Sequence, residues 1–250
     1  MTLMRMALAA AALVLAACSR QPAALTVSAA ASLQNPLQDL SALWSQDHAG
    51  LPLVFNFGGS GALAQQIEQG APVDVFLAAG AKPMNRVAAL VLPDTRRDLL
   101  SNDLVLIAPR ERPRVGSFRD LANPQVVLFA LGDPASVPAG DYGKQTLTAL
   151  GLWETVNPKL VLAKDVRQVL AYVETGNADA GLVYATDARN SPGVRVVETA
   201  PAATHEPIVY PVAALKDSHN PAAARAFLDF LASPPARAIF QRHGFHAAEP

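Results

Sequence analysis

Short apolar runs alternate with amphipathic segments along most of the chain, starting near residue 24. The stretch "ALTVSAA" at 24–30 has the composition of a buried strand. The apolar side chains that follow recur at the spacing of one helix face, and they are Leu33, Leu37, Leu40 and Trp44. Further strands are predicted at 51–57, 73–79, 102–108, 125–131, 158–163 and 178–185. Because helical segments separate the strands, the pattern predicts parallel pairing through right-handed crossovers.

The predicted helices have recognisable starts and stops. They lie at 60–70, 140–151 and 165–176, with two more near the C-terminus. Ser60 is a suitable N-cap for the first of them, and Gly70 is suitable as its stop. Asp165 and Gln168 have the spacing of a capping box at the third.

Two α/β blocks of similar length follow one another, and each has the usual size of a domain. The pattern therefore predicts an α/β protein of two lobes, each a mostly parallel sheet flanked by helices. In sheets of this kind, ligands bind outside the carboxyl ends of the strands, beside the helix starts.

Composition narrows the class further. The chain has 250 residues, of which 51% are hydrophobic and 16% charged, which is too apolar for a disordered protein. The formal net charge of −1 provides no basic field, so nucleic acid is not expected as a partner. The five histidines show no metal-ligand spacing, so no directly bound metal is expected either.

The first 18 residues have the layout of an export signal. Arg5 precedes an unbroken apolar run at 7–17, which is too short to span a bilayer as a helix. The run ends in "LAAC", and Cys18 is the only cysteine of the chain. This resembles a bacterial lipoprotein signal in which the cysteine is lipidated. An ordinary signal peptide with a cysteine near its cleavage site is the alternative. Either way, we expect an exported protein without disulfides.

The stretch "NFGGSGALAQQI" at 56–67 could serve three kinds of site. A phosphate-binding P-loop needs a lysine after its last glycine, and Ala62 follows Gly61 here, which argues against an NTPase. A nucleophile elbow needs G-x-S-x-G, and Ala62 replaces its final glycine. A backbone nest for an anion needs only exposed N–H groups at a helix start and a hydroxyl, which Ser60 would supply.

Other predicted helix starts repeat this chemistry. Ser32 follows the first strand, Ala139 follows "SVP", and Val166 follows "AKD". Helix starts that follow neighbouring strands can together offer several N–H donors to one anion. The plain alternatives are that both serines only cap their helices, and that Tyr184, at a strand end, is a core residue.

The chain resembles the periplasmic molybdate-binding proteins of ABC transporters, a type II periplasmic binding protein family. The resemblance covers about residues 25–245. It rests on "AAASLQNPLQDL", "GSGALAQQIEQGAPVDVFLAA", "GDPASVPAGDYGKQTLTALG", "AKDVRQVLAYVETGNADAGLVY", "YPVAAL" and "RHGF".

The resemblance implies an oxyanion site of five residues. Ser32 and Ser60 match serines that donate both hydroxyl and amide hydrogens. Ala139 and Val166 match residues that donate a backbone N–H, and Tyr184 matches a tyrosine whose hydroxyl completes the cage. Backbone donors leave no side-chain signature, so for Ala139 and Val166 the resemblance is nearly the whole argument.

The chain departs from the family pattern at a few positions. Many relatives have a second serine or threonine where this chain has Gly61 and Ala62, and some have an aspartate where it has Gly80. The first change is expected to loosen the loop without affecting the aligned Ser60.

The resemblance also implies how the lobes are built. Lobe I is expected to comprise 24–102 with 211–250, and lobe II 103–210. The hinge strands are expected near 102–105 and 208–212. The anion would bind in the cleft between the lobes, which would then close around it.

The implied function is capture of molybdate, and of the similar tungstate, by a monomer that delivers the ion to the membrane permease of an ABC importer. No cofactor and no catalytic residue are expected, because molybdenum arrives as its oxyanion. Two alternatives stay open. One is a binding protein for another tetrahedral oxyanion such as sulfate, and the other is a hydrolase using Ser60.

Overall fold

The computed structural model describes residues 24–111 and 113–248. The predicted signal at 1–18, with Cys18, lies outside these residues. Within them, no helix is long and apolar enough to cross a membrane.

The secondary structure alternates as expected. The strands are β1 (Leu25–Ala30), β2 (Leu53–Gly58), β3 (Val75–Leu77), β4 (Arg97–Ser101), β5 (Leu104–Pro109), β6 (Phe129–Gly132), β7 (Leu160–Ala163), β8 (Ala180–Tyr184), β9 (Val194–Thr199), β10 (Val209–Ala214) and β11 (His246–Ala247). The α-helices are α1 (Gln34–Asp47), α2 (Ser60–Glu68), α3 (Ala81–Arg86), α4 (Pro138–Ala149), α5 (Trp153–Val156), α6 (Val166–Glu174), α7 (Ala185–Arg189), α8 (Pro221–Leu231) and α9 (Pro234–Arg242).

The strands form two sheets. The first is six-stranded, in the order β11-β4-β10-β3-β1-β2, and the second is five-stranded, in the order β7-β6-β8-β5-β9. In the first sheet β1 pairs in parallel with β2 and β3, and β10 runs antiparallel to β3 and β4. In the second, β6 pairs in parallel with β7 and β8, and β5 runs antiparallel to β8 and β9.

Two lobes and flanking helices confirm the predicted α/β architecture, but the sheets are mixed. Apart from β11, which pairs antiparallel with β4, the antiparallel pairs involve the strands by which the chain passes between the sheets. It leaves the first sheet after β4 and enters the second at β5, and it returns between β9 and β10. The first passage lies within the predicted hinge at 102–105, whereas the second meets the predicted hinge at 208–212 only at residue 208. The residue bounds given for the lobes stay a prediction.

The expected starts of one strand and one helix were wrong. The strand expected at 125–131 begins only at Phe129. The apolar side chains of Val127 and Leu128, which suggested an earlier start, are exposed and lie outside the sheet. The helix expected from Gly140 begins two residues earlier, at Pro138, whose fixed φ suits the first turn.

Helix ends follow the sequence more closely. Gly70 and Gly151 have φ of +85° and +70°, the left-handed conformation in which glycine commonly ends a helix. Asp165 caps α6, accepting from the Gln168 amide at 2.9 Å. The Gln168 side chain accepts in turn from the Lys164 amide at 2.8 Å, one residue before the expected partner.

Candidate functional site

The carboxyl ends of parallel strands from both sheets converge on one small cleft. Ser32 and Ser60 follow β1 and β2 of the first sheet. Ala139 and Val166 follow β6 and β7 of the second, and Tyr184 ends β8. All five sequence-predicted residues line the cleft, and each is at most 5% exposed.

The cleft is small and without charged side chains. Its volume is about 10 Å³, far below the roughly 300–1,000 Å³ of pockets for drug-sized ligands. Among the described residues, its lining is Ala30, Ala31, Ser32, Gly58, Gly59, Ser60, Ala79, Val137, Pro138, Ala139, Val166 and Tyr184. No carboxylate or ammonium group belongs to this set, so the polar atoms at hand are hydroxyls and backbone groups. Such a site suits a small ion that accepts hydrogen bonds.

Ser60 is held by a backbone donor from a neighbouring strand end. It is the first residue of α2, whose N-cap is Gly59, so the prediction of Ser60 as the N-cap was wrong. Its Oγ accepts instead from the Ala79 amide at 3.0 Å. Because this bond occupies a lone pair, the hydroxyl proton of Ser60 is left to donate elsewhere.

Ser32 is held by a side chain from β10. Its Oγ lies 3.0 Å from the hydroxyl oxygen of Tyr210, and both residues are buried. The short 3₁₀ turn that contains Ser32 starts after Ala30 and has no side-chain cap. The hydroxyl of Ser32 therefore does not act as a helix cap.

Tyr184 bridges the two lobes. Its hydroxyl donates to the carbonyl oxygen of Ala79 at 3.1 Å. Burial raises the pKa of Tyr184 well above its usual value, so the phenol keeps its proton. A phenol has one proton, and in this structure that proton serves Ala79. Donation to a bound anion would require the hydroxyl to turn away from Ala79.

Ala139 and Val166 present their backbone to the cleft. Val166 is the first residue of α6, and Ala139 follows Pro138 in the first turn of α4. Amides in the first turn of an α-helix have no acceptor within the helix, and they carry the positive end of its dipole. Both residues therefore have a first-turn amide of the kind that the prediction requires.

The lobes meet through backbone atoms at the edge of the cleft. The Gly61 amide donates to the Ser136 carbonyl at 2.9 Å. A Cβ at Gly61 would lie 2.6 Å from the Ser136 oxygen, and a Cβ at Gly59 would lie 2.7 Å from the Lys164 oxygen. Contacts this close exclude a side chain. Gly61 therefore permits the two lobes to approach closely at this point.

The geometry does not provide a hydrolase. The Ser60 hydroxyl is bonded to an amide, and among the described residues no histidine is hydrogen-bonded to it. His205 and His243 have other partners, the Glu206 carbonyl and Asp39. Nor does the described part of the chain hold a group of three or more residues able to bind a metal ion. A serine without a base has no means of losing its proton in a nucleophilic attack.

A family model of bacterial extracellular solute-binding proteins matches residues 25–246. The chain belongs to this family. Its members bind solutes, so the family confirms the prediction of a binding protein and not an enzyme.

Molybdate-binding proteins are among the similar members of the family. The Escherichia coli K12 protein ModA, named as molybdate-binding, is 42% identical over 88% of this chain and 88% of its own length. YvgL of Bacillus subtilis, whose name includes the words substrate-binding lipoprotein, is 43% identical over 92% of this chain and 88% of its own. The solved structure of the Azotobacter vinelandii periplasmic molybdate-binding protein is 28% identical, with a TM-score of 0.80 over 90% of this chain and 99% of its own.

A more distant solved structure shows the fold alone. The sulfate-binding protein SubI of Mycobacterium tuberculosis is 17% identical, with a TM-score of 0.79 over 91% of this chain and 88% of its own.

In this solute-binding protein, ion pairs join the lobes at a pocket next to the cleft. Lys82 follows β3, and its Nζ lies 2.8 Å from Asp141 and 3.2 Å from Glu206. The Lys82 side chain is 60% exposed. An ion pair this exposed contributes about 0–1 kcal/mol, so the closed arrangement depends mainly on the buried bonds behind it.

Sequence reasoning did not single out Asp187, a fully buried carboxyl three residues after Tyr184. Burial raises its pKa to about 7, and the nearby guanidinium of Arg167 offsets part of that shift. The Arg167 Nη1 lies 3.5 Å from Oδ1, and neither carboxyl oxygen has a hydrogen-bond partner among the described residues. Arg167 also donates to Asn35 of the other lobe at 3.4 Å. No pattern in the sequence marks this pair, because its contacts are long-range.

Proposed function

We propose that the protein captures molybdate, and tungstate with it, and delivers the ion to the membrane permease of an ABC importer. The observation that carries the proposal is that residues from both lobes line one uncharged cleft whose polar groups can donate hydrogen bonds. The molybdate-binding relatives support the same ligand.

The chemistry of the cleft matches a tetrahedral dianion without protons. Such an ion can only accept hydrogen bonds, so it needs donors and no unprotonated carboxylate. The hydroxyls of Ser32 and Ser60 and the amides of Ala139 and Val166 would supply them. Fixed dipoles hold the ion without a buried counter-ion, which would have its own desolvation cost.

Tyr184 has a part in closing the cleft as well as in binding. We propose that its hydroxyl turns from the Ala79 carbonyl to the bound anion. The bond to Ala79 would then hold the empty protein partly closed, and the anion would take its place as the acceptor shared between the lobes.

The same donors would select between anions. Phosphate at neutral pH carries at least one proton, and a cleft that offers only donors leaves that proton unpaired, at a cost of about 1–3 kcal/mol. Sulfate carries no proton at neutral pH, so it would be rejected by size, because a smaller tetrahedron cannot reach all donors at once. Tungstate has nearly the size and charge of molybdate and would bind similarly.

Export and anchoring are part of the proposal. The signal at 1–18 would direct the protein to the periplasm, and a lipid on Cys18 would tether it to the membrane. The lipoprotein YvgL supports the second step. The anion-loaded monomer would then dock on the permease.

Titration calorimetry of the signal-free protein with molybdate, tungstate, sulfate and phosphate at neutral pH tests the proposal. We expect one-to-one binding of the first two and little or no heat from the others. Tighter binding of sulfate would overturn the molybdate assignment in favour of the smaller oxyanion. Silence from all four would overturn the transport function.

A further inference from the structure

We propose that Tyr210 and Asn102 are positioning residues that keep the proton of the Ser32 hydroxyl free to donate to the ligand, and that they thereby favour unprotonated anions. The inference rests on the proposed function, because it assumes that an oxyanion binds at Ser32. It adds two residues that do not line the cleft.

The chain of hydrogen bonds begins at Asn102, in the passage between β4 and β5. The Asp103 amide donates to Asn102 Oδ1 at 2.9 Å. Because that bond needs the carbonyl oxygen, it fixes which end of the side-chain amide is the NH₂ group. The Nδ2 hydrogens then point to Thr186 Oγ1 at 2.9 Å and to the Tyr210 hydroxyl at 3.2 Å. Asn102 is therefore a donor to Tyr210 and cannot accept from it.

The bond from Asn102 determines the direction in which Tyr210 donates. Among the described residues, its hydroxyl has two hydrogen-bond partners, Asn102 Nδ2 and Ser32 Oγ. Since Asn102 can only donate, the single phenol proton has one acceptor left, which is Ser32 Oγ at 3.0 Å. The Tyr210 side chain is 0% exposed, so water offers no other acceptor. Tyr210 is thus the donor and Ser32 the acceptor.

Ser32 completes the chain because its own proton is left free for the cleft. One of its two lone pairs accepts from Tyr210, so its proton cannot also lie on that contact. The proton is therefore free to donate to a ligand in the cleft. Ser60 repeats this arrangement with a different partner, because the Ala79 amide donates to its Oγ at 3.0 Å. At both serines a fixed donor behind the hydroxyl keeps the hydroxyl proton free for the ligand.

Without the chain, Ser32 would lose this constraint. A serine hydroxyl can rotate and present a lone pair as easily as a proton. It could then accept from a protonated anion such as hydrogen phosphate. The chain would therefore favour unprotonated anions over protonated ones.

The variant Tyr210→Phe removes one oxygen and keeps the ring. Packing of the ring on Phe245, with centroids 5.3 Å apart, and on Tyr184, at 5.8 Å, can persist. The matched control is Tyr172→Phe, which removes the same atom from a half-buried tyrosine of α6 that does not line the cleft. Calorimetric titrations with molybdate and with phosphate, for wild type and both variants, give the affinity ratio of the two anions.

We expect Tyr210→Phe to weaken molybdate binding by about 3- to 10-fold, the usual worth of one hydrogen bond. Phosphate binding should become detectable or tighter. The ratio of molybdate affinity to phosphate affinity should therefore fall by a larger factor than the molybdate affinity alone. Tyr172→Phe should leave both affinities unchanged. A purely structural role for Tyr210 would weaken both anions equally, and an unchanged ratio would therefore overturn the inference.

A second variant reverses the direction of the hydrogen bonds without removing the Tyr210 hydroxyl. Asn102→Asp replaces the donating NH₂ group with an acceptor, so Tyr210 would donate to the new carboxylate and accept from Ser32. We expect a larger loss of molybdate affinity than in Tyr210→Phe, with a narrower ratio. If Tyr210→Phe proves unable to fold, this variant decides the question, and an unchanged ratio would again overturn the inference.

The wild-type titration separates the two hypotheses. If wild type binds no oxyanion, the proposed function fails and the inference falls with it. If wild type binds molybdate and both variants keep its selectivity, the proposed function stands and only the inference fails.

Discussion

The hydroxyl of Tyr184 and the carbonyl oxygen of Ala79 lie 3.1 Å apart, and this buried hydrogen bond joins the two lobes across the cleft. Ala79 has a second role, since its amide holds Ser60. One residue at the end of β3 therefore links a tyrosine of one lobe to a serine of the other. Closure of the lobes and the orientation of the Ser60 hydroxyl therefore both depend on Ala79.

Tyr184→Phe should weaken both closure and binding. The variant loses the bond to Ala79 in the empty protein and a donor to the anion in the bound one. Since the two losses partly cancel, we expect molybdate affinity to fall by about 3- to 10-fold, the worth of one hydrogen bond. Small-angle scattering of the ligand-free variant should show a more open particle than wild type. Unchanged scattering would contradict the role of Tyr184 in closure.

Ser60→Ala should destabilise the protein even without ligand. The Ala79 amide is buried, and the variant leaves it without its acceptor, at a cost of about 1–3 kcal/mol. Chemical denaturation of the empty protein measures this loss. Ser45→Ala is a suitable control, because its exposed hydroxyl donates only to the Ser41 carbonyl. Equal stability of the two variants would argue against the bond to Ala79.

Gly61→Ala should obstruct closure. The added Cβ would lie 2.6 Å from the Ser136 carbonyl oxygen of the other lobe, and a backbone atom cannot move aside as a flexible side chain can. We expect molybdate affinity to fall by roughly 10-fold or more, which corresponds to about 1.4 kcal/mol, while the melting temperature of the empty protein changes little. Gly70→Asn, at a helix end with open space around it, provides a control for loss of a glycine. Full affinity in Gly61→Ala would show that the bound state tolerates a wider separation of the lobes at this point.

The titration of Asp187 predicts a pH dependence of stability. Burial raises its folded-state pKa to about 7 from an ordinary value of 3.8, so between about pH 4 and 7 the folded protein binds more protons than the unfolded one. The free energy of unfolding should therefore fall as the pH rises through this window, by up to roughly 4 kcal/mol. The facing charges of Arg167 and Asp165 remain in the variant Asp187→Asn.

Denaturation of wild type and Asp187→Asn from pH 4 to pH 8 checks this expectation. Histidines and other carboxyls contribute equally to both proteins, so the difference between the two curves isolates Asp187. Parallel curves would show that Asp187 titrates at its ordinary pKa.

Lys82→Met should have only a small effect. Lys82 pairs with Asp141 and Glu206 next to the cleft, but it is 60% exposed and screened by solvent. We expect molybdate affinity to change by less than about 5-fold, since exposed ion pairs contribute at most about 1 kcal/mol. A larger loss in the calorimetric titration would mean that the pair is a principal part of the closed state.

Much of the fold could be predicted because local patterns agree with it. The apolar strands β1, β2 and β8, and the amphipathic α6 with its Asp165 cap, all show in the sequence. The strands β4, β9 and β11 did not, because they are partly exposed and their pairing partners are distant in the chain.

The five residues of the cleft were predicted, but their supporting contacts were not. Tyr210 approaches Ser32 from 178 positions away, and Ala79 approaches Ser60 from the end of another strand. A sequence shows that a serine stands at a helix start. It does not show which group lies behind the hydroxyl, and so Ser60 was taken for a cap.

The uncharged lining of the cleft has a consequence for the media in which the protein can work. Dissolved salt screens the attraction between exposed charges, and at 0.1 M ionic strength the screening length is about 10 Å. A ligand held by buried hydroxyls and amides makes no such ion pair within the described cleft. Added salt should therefore weaken capture less than it would at a site that depends on exposed lysine or arginine side chains.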